Sequence, residues 1–396
     1  MKKFNLRHPS RLQAFVFFWI ILIAFRIFIY PLLREWTKPD PMIAKEQWYL
    51  QNTGNAEAIK GAPEYEKQFL MKKGVDINAD ELWKHEFRTD TDRTVIVAVI
   101  DTGVDFQHEN LKYSSWENIT KSNDDYIKEI HDNKDNDSNG YVDDKYGYDF
   151  CTNCGIDDQT KYTSADDHGT MIAGIIAAKQ DDGHGINGIA KDDTVQIMSL
   201  KVFGNEDQKG GNVEDVIKAI KYAEDNGAQI CNMSFNTWKN DHKLEEIMKK
   251  SRMLFVVSTG DEHGPGFNLD TTKCYPACYG FDNVIAVTNL NYNGRLNLHA
   301  NYGKHTVDVA VPGTAIYSTR TQNTFGFGTG TSFAAPIVSG IISKMYAKCE
   351  NVNYQNAKQL FLEACDKDAS LTDKVRDGNV VDGYNIMKKV VDGNYC

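Results

Sequence analysis

Apolar runs alternate along this chain with segments of helical periodicity. The first run, VIVAVI at 95–100, is apolar at every position, as expected of a strand that is buried on both faces of a sheet. Further strand-like runs lie at 195–202, 228–234, 254–259, 284–288 and 307–311, and helical patterns lie at 169–179, 213–226, 242–251 and 333–348. We therefore predict an α/β fold in which a largely parallel sheet carries helices on both faces. Such sheets bind their ligands at the carboxyl ends of the strands.

A longer apolar stretch at 12–33 contains only Gln13 and Arg26 as strongly polar residues. Its length suffices to cross a hydrocarbon core of about 30 Å. A cleaved signal peptide is the alternative, but its apolar region is shorter and ends at small residues, whereas 31–36 is bulky. Arg26 also leaves an amphipathic surface helix open. Basic residues precede the stretch, so the prediction is a membrane anchor with the amino terminus in the cytoplasm and the remainder outside.

Three residues near the ends of predicted elements are candidates for nucleophilic catalysis. Asp101 follows the first strand, His168 begins an apolar helix in DDHGTMIAG, and Ser332 lies in GTGTSFAAP. Taken singly, they read as a strand-end acid, a helix-end histidine and an N-cap serine. Together they supply a nucleophile, its base and the group that orients the base.

The order Asp, His, Ser and the motifs DTG, HGT and GTSFAAP resemble the subtilisin-like serine proteases from about Gln47 to about residue 390. The resemblance implies a three-layer α/β fold and peptide-bond hydrolysis through Asp101, His168 and Ser332. With the anchor, it gives four regions: a cytoplasmic 1–11, a transmembrane 12–33, a linker 34–46 and a peptidase domain 47–396.

By the same resemblance, two segments flank a bound substrate strand, and part of a third contributes to the oxyanion hole with Ser332. The substrate-binding residues implied are Gly210, Gly211, Asn212, Ser234, Phe235, Asn236, Thr259 and Gly260. The family usually has a small Ser-Leu-Gly sequence at the second segment, so Asn236 adds a side chain there. The third segment, FVVSTGD, has Asp261 where the family has the Asn whose amide helps to form the oxyanion hole.

An ionised carboxylate at Asp261 only accepts hydrogen bonds. Loss of that one donor costs roughly 10²–10³ in rate, a value that comes from subtilisin itself. A protonated Asp261 would still donate, and one branch of the convertases also resembles this chain in having Asp here. The alternative is a pseudoprotease that binds peptides without cleaving them, or a membrane scaffold.

Calcium is the one cofactor that the sequence suggests. The loop DNDSNGYVDD has the acidic alternation of an EF-hand-like site, without the glutamate at its twelfth position, and a solvated acidic turn is the alternative. Its candidate ligands are Asp135, Asp137, Asn139 and Asp143. A second site, implied by the resemblance alone, consists of Gln47, Asn110 and Asp182 with carbonyls near Gly185.

Net charge and cysteine content add two expectations. The net charge of −11 argues against nucleic acid as a partner, because phosphate binding needs a basic face. The eight cysteines fit an oxidising exterior. Spacing favours the local pairs Cys151–Cys154 and Cys274–Cys278 as disulfides over a zinc site, and Cys231 reads as a buried thiol.

Overall fold

The predicted strands form the centre of one sheet. The computed structural model describes residues 43–85, 87, 93–122, 125–128, 131–180, 185–191, 193–204, 211–393 and 395–396, all in one compact unit. The strands are β1 (Val95–Asp101), β2 (Ile119–Ser122), β3 (Asp125–Lys128), β4 (Gly147–Asp149), β5 (Cys154–Ile156), β6 (Val195–Lys201), β7 (Ile230–Met233), β8 (Leu254–Ser258), β9 (Val284–Leu290), β10 (Val309–Pro312), β11 (Ile316–Arg320), β12 (Thr324–Gly328), β13 (Asp366–Lys367) and β14 (Asn379–Val380).

Seven α-helices occur within these ranges: α1 (Ala79–Lys84), α2 (Asp167–Ala177), α3 (Val213–Asp225), α4 (His242–Lys250), α5 (Thr331–Lys348), α6 (Ala357–Ala364) and α7 (Gly383–Asp392). Short 3₁₀ helices lie at Ala56–Ile59, Glu64–Glu66, Ser164–Asp166, Ala277–Tyr279, Ala369–Leu371 and Arg376–Gly378.

The main sheet has the strand order β13-β14-β10-β9-β8-β7-β1-β6-β4-β5 among the described residues. Neighbours from β14 to β4 pair in parallel, and the two outermost strands are antiparallel. The prediction of a largely parallel sheet is therefore confirmed. Because β1, β7 and β8 lie side by side and run in one direction, the residues that follow them meet at one edge.

Helices cover both faces of this sheet, which explains the apolar runs. In β1, Val97 and Val99 pack with α2 and α5 on one face, while Ala98 and Ile100 pack with α3 on the other. A strand buried on both faces has no polar positions to alternate with apolar ones. The structure therefore has three layers, helices, sheet and helices, as predicted.

The predicted transmembrane segment at 12–33 lies outside the described residues, as do residues 1–42 generally. Within the described ranges, no helix combines the length and the apolar composition that crossing a bilayer requires. The predicted peptidase region opens with a buried segment. Gln47, Trp48, Tyr49 and Leu50 are at most 1% exposed.

The local disulfide pairs predicted from spacing are wrong. Cys151, Cys154, Cys274 and Cys278 are free, and the disulfide of the structure joins Cys349 to Cys396. The local thiols have other neighbours: Cys274 Sγ accepts a hydrogen bond from Asn236, and Cys278 Sγ accepts one from the backbone N–H of Cys274. Cys231 is free and fully buried, as predicted.

Candidate active site

Asp101 ends β1 and holds the ring of His168. The Asp101 side chain is fully buried, and His168 Nδ1 lies 2.8 Å from its Oδ1. Because a carboxylate only accepts hydrogen bonds, Nδ1 carries the proton, and Nε2 keeps its lone pair. The backbone N–H of Thr102 donates to the same oxygen over 2.7 Å. The carboxylate is therefore fixed by its own chain, and it fixes the orientation and tautomer of the imidazole.

The His-Gly-Thr motif allows this contact to form. A Cβ on Gly169 would lie 2.3 Å from the carbonyl oxygen of Gly103, so only glycine lets α2 approach the end of β1 so closely. Desolvation opposes the charged form of His168, but the Coulombic attraction and hydrogen bond of Asp101 outweigh it, and the pKa of His168 is raised. The imidazolium that a general base becomes is thereby stabilised.

Ser332 is the second residue of α5, and its carbonyl is released from the helix by Pro336. Proline has no N–H, so the bond that residue 336 would donate to the carbonyl four residues earlier is missing. The hydroxyl of Ser234, just after β7, donates to that carbonyl instead, over 2.8 Å. The serine is thus tied to the end of β7. Its own N–H belongs to the first turn, where no helical carbonyl accepts it.

The residue after Ser332 contacts His168 because α5 and α2 pack on the same face of the sheet. The ring of Phe333, the next residue along α5, meets the His168 ring edge-on with centroids 5.3 Å apart. Both α2 and α5 begin at the same edge of the sheet as the carboxyl end of β1. The three predicted catalytic residues therefore lie at the same edge of the sheet, with a hydrogen bond between Asp101 and His168.

Asp261, three residues after β8, caps α5. Its Oδ2 accepts from the backbone N–H and from the hydroxyl of Thr331, each over 2.8 Å. A Cβ on Gly330 would lie 3.0 Å from this Oδ2 and 3.3 Å from Ser332 Oγ, so the carboxylate and the serine hydroxyl flank one small space. Asp261 is partly exposed to solvent, yet desolvation by the surrounding protein raises its pKa, against the lowering effect of the Thr331 bonds.

The structure describes seven of the eight predicted substrate residues. Gly211, Asn212, Phe235 and Asn236 line a cavity of about 530 Å³, in which Phe235 meets Phe203 edge-on at 5.3 Å. The Ser234 hydroxyl donates to the Ser332 carbonyl. Thr259 is fully buried, and its hydroxyl donates to the Asn301 carbonyl. Gly260, with φ of +89°, forms the turn between Thr259 and Asp261. Gly210 lies outside the described residues.

The sequence that forms this sheet and site matches a family model. Residues 92–381 match the model of the subtilase family, peptidase S8. The chain belongs to the subtilase family. Subtilisin-like protease 1 of Plasmodium vivax is 29% identical over 372 residues, which cover 89% of this chain and 56% of that protein. The thermophilic serine proteinase of a Bacillus species, strain AK1, is 31% identical over 258 residues, 64% of this chain and 53% of that protein. The chain thus spans about half the length of these relatives.

Solved structures show the same subtilase fold at low sequence identity. A structure of a subtilase cytotoxin assembly has a TM-score of 0.59 at 22% identity and covers 88% of this chain and 97% of that chain. A protease of Pseudoalteromonas arctica has a TM-score of 0.61 at 19% identity and covers 89% of this chain and 99% of that chain. The predicted subtilisin-like fold class is therefore confirmed for the part of the chain that the structure describes.

The predicted EF-hand-like loop is held by hydrogen bonds of its own carboxylates. Asp135 and Asp137 accept from the loop's own backbone at Asn139, and Asp143 accepts from the N–H groups of residues 132 and 133. The Asn139 amide donates to Asp144. Among the described residues, no group of three or more His, Cys, Asp or Glu side chains is placed to hold a metal. The carboxylates stabilise the turn, and calcium binding by this loop stays a prediction.

The second predicted calcium site is partly visible. Gln47 Oε1 accepts from the N–H of Asn187 over 3.2 Å, and Asn110 Oδ1 accepts from the N–H of Ile186 over 2.9 Å. Asp182 lies outside the described residues. Both amide oxygens accept from this loop, the second calcium site stays a prediction, and no step of the chemistry below depends on a metal.

Sequence reasoning overlooked the residues that position Ser332. Thr331 links Asp261 to the helix, Pro336 frees the serine carbonyl, and Phe333 packs on the histidine. All three lie in the motif GTSFAAP. A proline four residues after the candidate nucleophile was the available signal, because it predicts one unpaired carbonyl in the helix.

Proposed function

We propose that this chain is a membrane-anchored, extracytoplasmic serine endopeptidase that hydrolyses peptide bonds through Asp101, His168 and Ser332. The observation that carries the proposal is the 2.8 Å bond between His168 Nδ1 and the buried Asp101, beside a serine at a helix start. Family membership supports the reaction class. The apolar stretch 12–33 and the basic residues before it support the location.

The reaction begins when Ser332 Oγ attacks the carbonyl carbon of the substrate. His168 Nε2 takes the hydroxyl proton as the Oγ–C bond forms, and it gives that proton to the amine as the C–N bond breaks. Water then attacks the acyl-enzyme in the same way and releases the acid and the free serine. Asp101 keeps the imidazole in the tautomer whose Nε2 accepts.

The oxyanion that forms at the carbonyl needs hydrogen-bond donors. The backbone N–H of Ser332, at the positive end of α5, is one such donor. Asp261 binds at this same helix end through Thr331, and its negative charge offsets part of the helix-end field. We therefore propose a working but attenuated oxyanion hole.

The cavity of about 530 Å³, which reaches Thr102 next to Asp101, supports a peptide substrate. Gly211 lines this cavity, where the absence of a side chain lets a substrate backbone approach. Aromatic and aliphatic side chains line it as well, among them Phe203, Phe235 and Leu244. An extended peptide with an apolar side chain fits this surface.

Asp261 favours one second candidate, a pseudoprotease that binds peptides without turnover. Labelling by a fluorophosphonate probe distinguishes the peptidase from the pseudoprotease. A fluorophosphonate probe forms a covalent adduct on a serine only when the base activates it, which a binding module does not need.

The experiment measures labelling of Ser332 and cleavage of a peptide library by the full chain. Ser332→Ala and His168→Ala should each abolish turnover to a similar level, because the members of a triad act as a unit. Ser370→Ala, an exposed serine far along the chain, serves as the matched control and should keep full labelling. Unlabelled wild-type protein that still binds peptides would establish the pseudoprotease instead.

A further inference from the structure

Two chain segments border the space next to Ser332. The segment Ser234 to Asn236 follows β7, and the segment Thr259 to Asp261 follows β8. Each is bonded to the start of α5: Ser234 Oγ donates to the Ser332 carbonyl, and the Gly260 N–H donates to Thr331 Oγ1 over 3.0 Å. Since β7 and β8 are parallel neighbours, the segments emerge side by side. We call the space between them the gap.

The side chain of Asn236 enters this gap. A Cβ on Gly260 would lie only 2.1 Å from Asn236 Nδ2, so the amide occupies the volume that Gly260 leaves open on the opposite wall. The same Nδ2 donates to Cys274 Sγ over 2.9 Å. Cys274 is fully buried, so this bond ties the amide to the protein interior. Asn236 thus reaches from one wall to the other.

The geometry of attack gives this gap a function. If a substrate carbonyl lies against Ser332 Oγ, the side chain of the residue that carries this carbonyl is directed between the two segments that hold Ser332. We propose that Asn236 is a specificity-determining residue that restricts this substrate position to small side chains such as Gly, Ala and Ser. This inference rests on the proposed function and adds to it the class of peptide that is cleaved.

The size limit follows from what a larger side chain would displace. Leu or Phe would have to expel the amide from the gap and break its bond to Cys274. Sulfur is a weak acceptor, so steric exclusion contributes more than the lost bond. A pocket discriminates by roughly 10–200-fold for each methylene that it accepts or rejects.

The test is a peptide series that differs only at the cleaved position, with Gly, Ala, Leu or Phe. The full chain and its Asn236→Ala and Asn236→Gly variants are compared by kcat/KM. Wild type should favour Ala over Leu, and both variants should raise the Leu-to-Ala ratio by roughly 10–200-fold. Asn240→Ala, the same substitution on the same loop with an amide bonded to Glu245, should leave the ratio unchanged.

Two results would overturn the inference while leaving the proposed function intact. One is wild-type cleavage after Leu or Phe as efficient as after Ala, which requires no variant and so holds even if a variant does not fold. The other is folded Asn236 variants that label with a fluorophosphonate yet keep the wild-type preference. Absence of labelling and cleavage in every form would instead overturn the proposed function, and the inference with it.

Discussion

Asp261 has two effects on α5 that oppose each other. As a cap it binds the backbone N–H and hydroxyl of Thr331, and a negative charge at a helix amino terminus stabilises the fold. As a charge beside Ser332 it reduces the field that the same helix end offers to an oxyanion. Thr331 Oγ1 accepts from Gly260, so its hydroxyl proton points to Asp261 Oδ2. That oxygen accepts two bonds and carries no proton.

The first prediction at the residue scale concerns Asp261→Asn. An amide oxygen can still accept from Thr331, so the cap is kept while the charge is lost and a donor is gained. We expect kcat/KM near neutral pH to rise by up to roughly 10²–10³, the value of such a donor in subtilisin. Peptide hydrolysis by both forms measures it, and an unchanged or lower rate would contradict it.

The pH dependence of kcat/KM distinguishes an ionised Asp261 from a protonated one. The catalytic base must be neutral, and since Asp101 raises the pKa of His168 above its ordinary value, the rate should rise with pH through that raised pKa in both proteins. If Asp261 is ionised throughout this range, the two profiles run parallel. A wild-type optimum at acidic pH that is absent from Asp261→Asn would show that the protonated carboxyl, whose pKa is raised by desolvation, donates to the oxyanion.

The sequence predicted the identity of several site residues but not all of their contacts. Asp101, His168 and Ser332 stand in recognisable motifs, so the amino-acid sequence alone was enough to propose them, and the structure adds the contact between Asp101 and His168. The departure at Asn236 was visible too, but its contacts were not. Its amide meets Cys274 and Gly260 through loops after two different strands, and such meetings depend on the packing of the whole sheet.

At the scale of elements, the central strands and the long helices were predictable because their apolar patterns are long. β1, β6 and β8 each fall within one residue of the predicted bounds. The hairpin of β11 and β12 was not predicted. Its loop includes Gln322 and Asn323 with φ of 58° and 56°, whereas turns of positive φ are usually marked by glycine. β13 and β14 have two residues each, too few for any periodicity.

A buried carboxylate joins several of these late elements. Asp308, just before β10 and 2% exposed, contacts Lys358 Nζ of α6 at 2.9 Å and Arg376 Nε at 3.0 Å. It also accepts from the N–H of Ala286 in β9. The Asp308 carboxylate therefore pairs with two cations and accepts a hydrogen bond from one strand.

We expect Asp308→Ala to lower the free energy of unfolding by about 3–5 kcal/mol, because removing one partner leaves buried donors and charge unpaired. Urea unfolding of the variant measures this. Asp392→Ala breaks the solvent-exposed pair with Lys388 in α7 and should hardly change the midpoint. Equal effects of the two substitutions would show that the Asp308 network contributes no more than a surface pair.

For the whole molecule, the division between anchor and catalytic part is the main prediction that stays a prediction. The contacts of Trp48 and Tyr49 show how far the chain can be truncated from its amino terminus. Trp48 donates through Nε1 to the carbonyl of Ala315 over 2.9 Å, and Tyr49 is fully buried. The chain from about residue 47 is therefore part of the core, although it precedes β1 by a long connection.

Deleting residues 1–36 should release an active, soluble protein, because the apolar stretch contributes anchoring and no catalytic group. Deleting residues 1–50 should instead abolish folding, since it removes Trp48 and Tyr49 from the core and leaves a large cavity. Fractionation, peptide hydrolysis and urea unfolding compare the two truncations. Protease protection in intact cells tests the orientation of the full chain. A carboxyl terminus shielded inside the cell would contradict the extracytoplasmic location, and an inactive but folded 37–396 fragment would show that the first 36 residues do more than anchor.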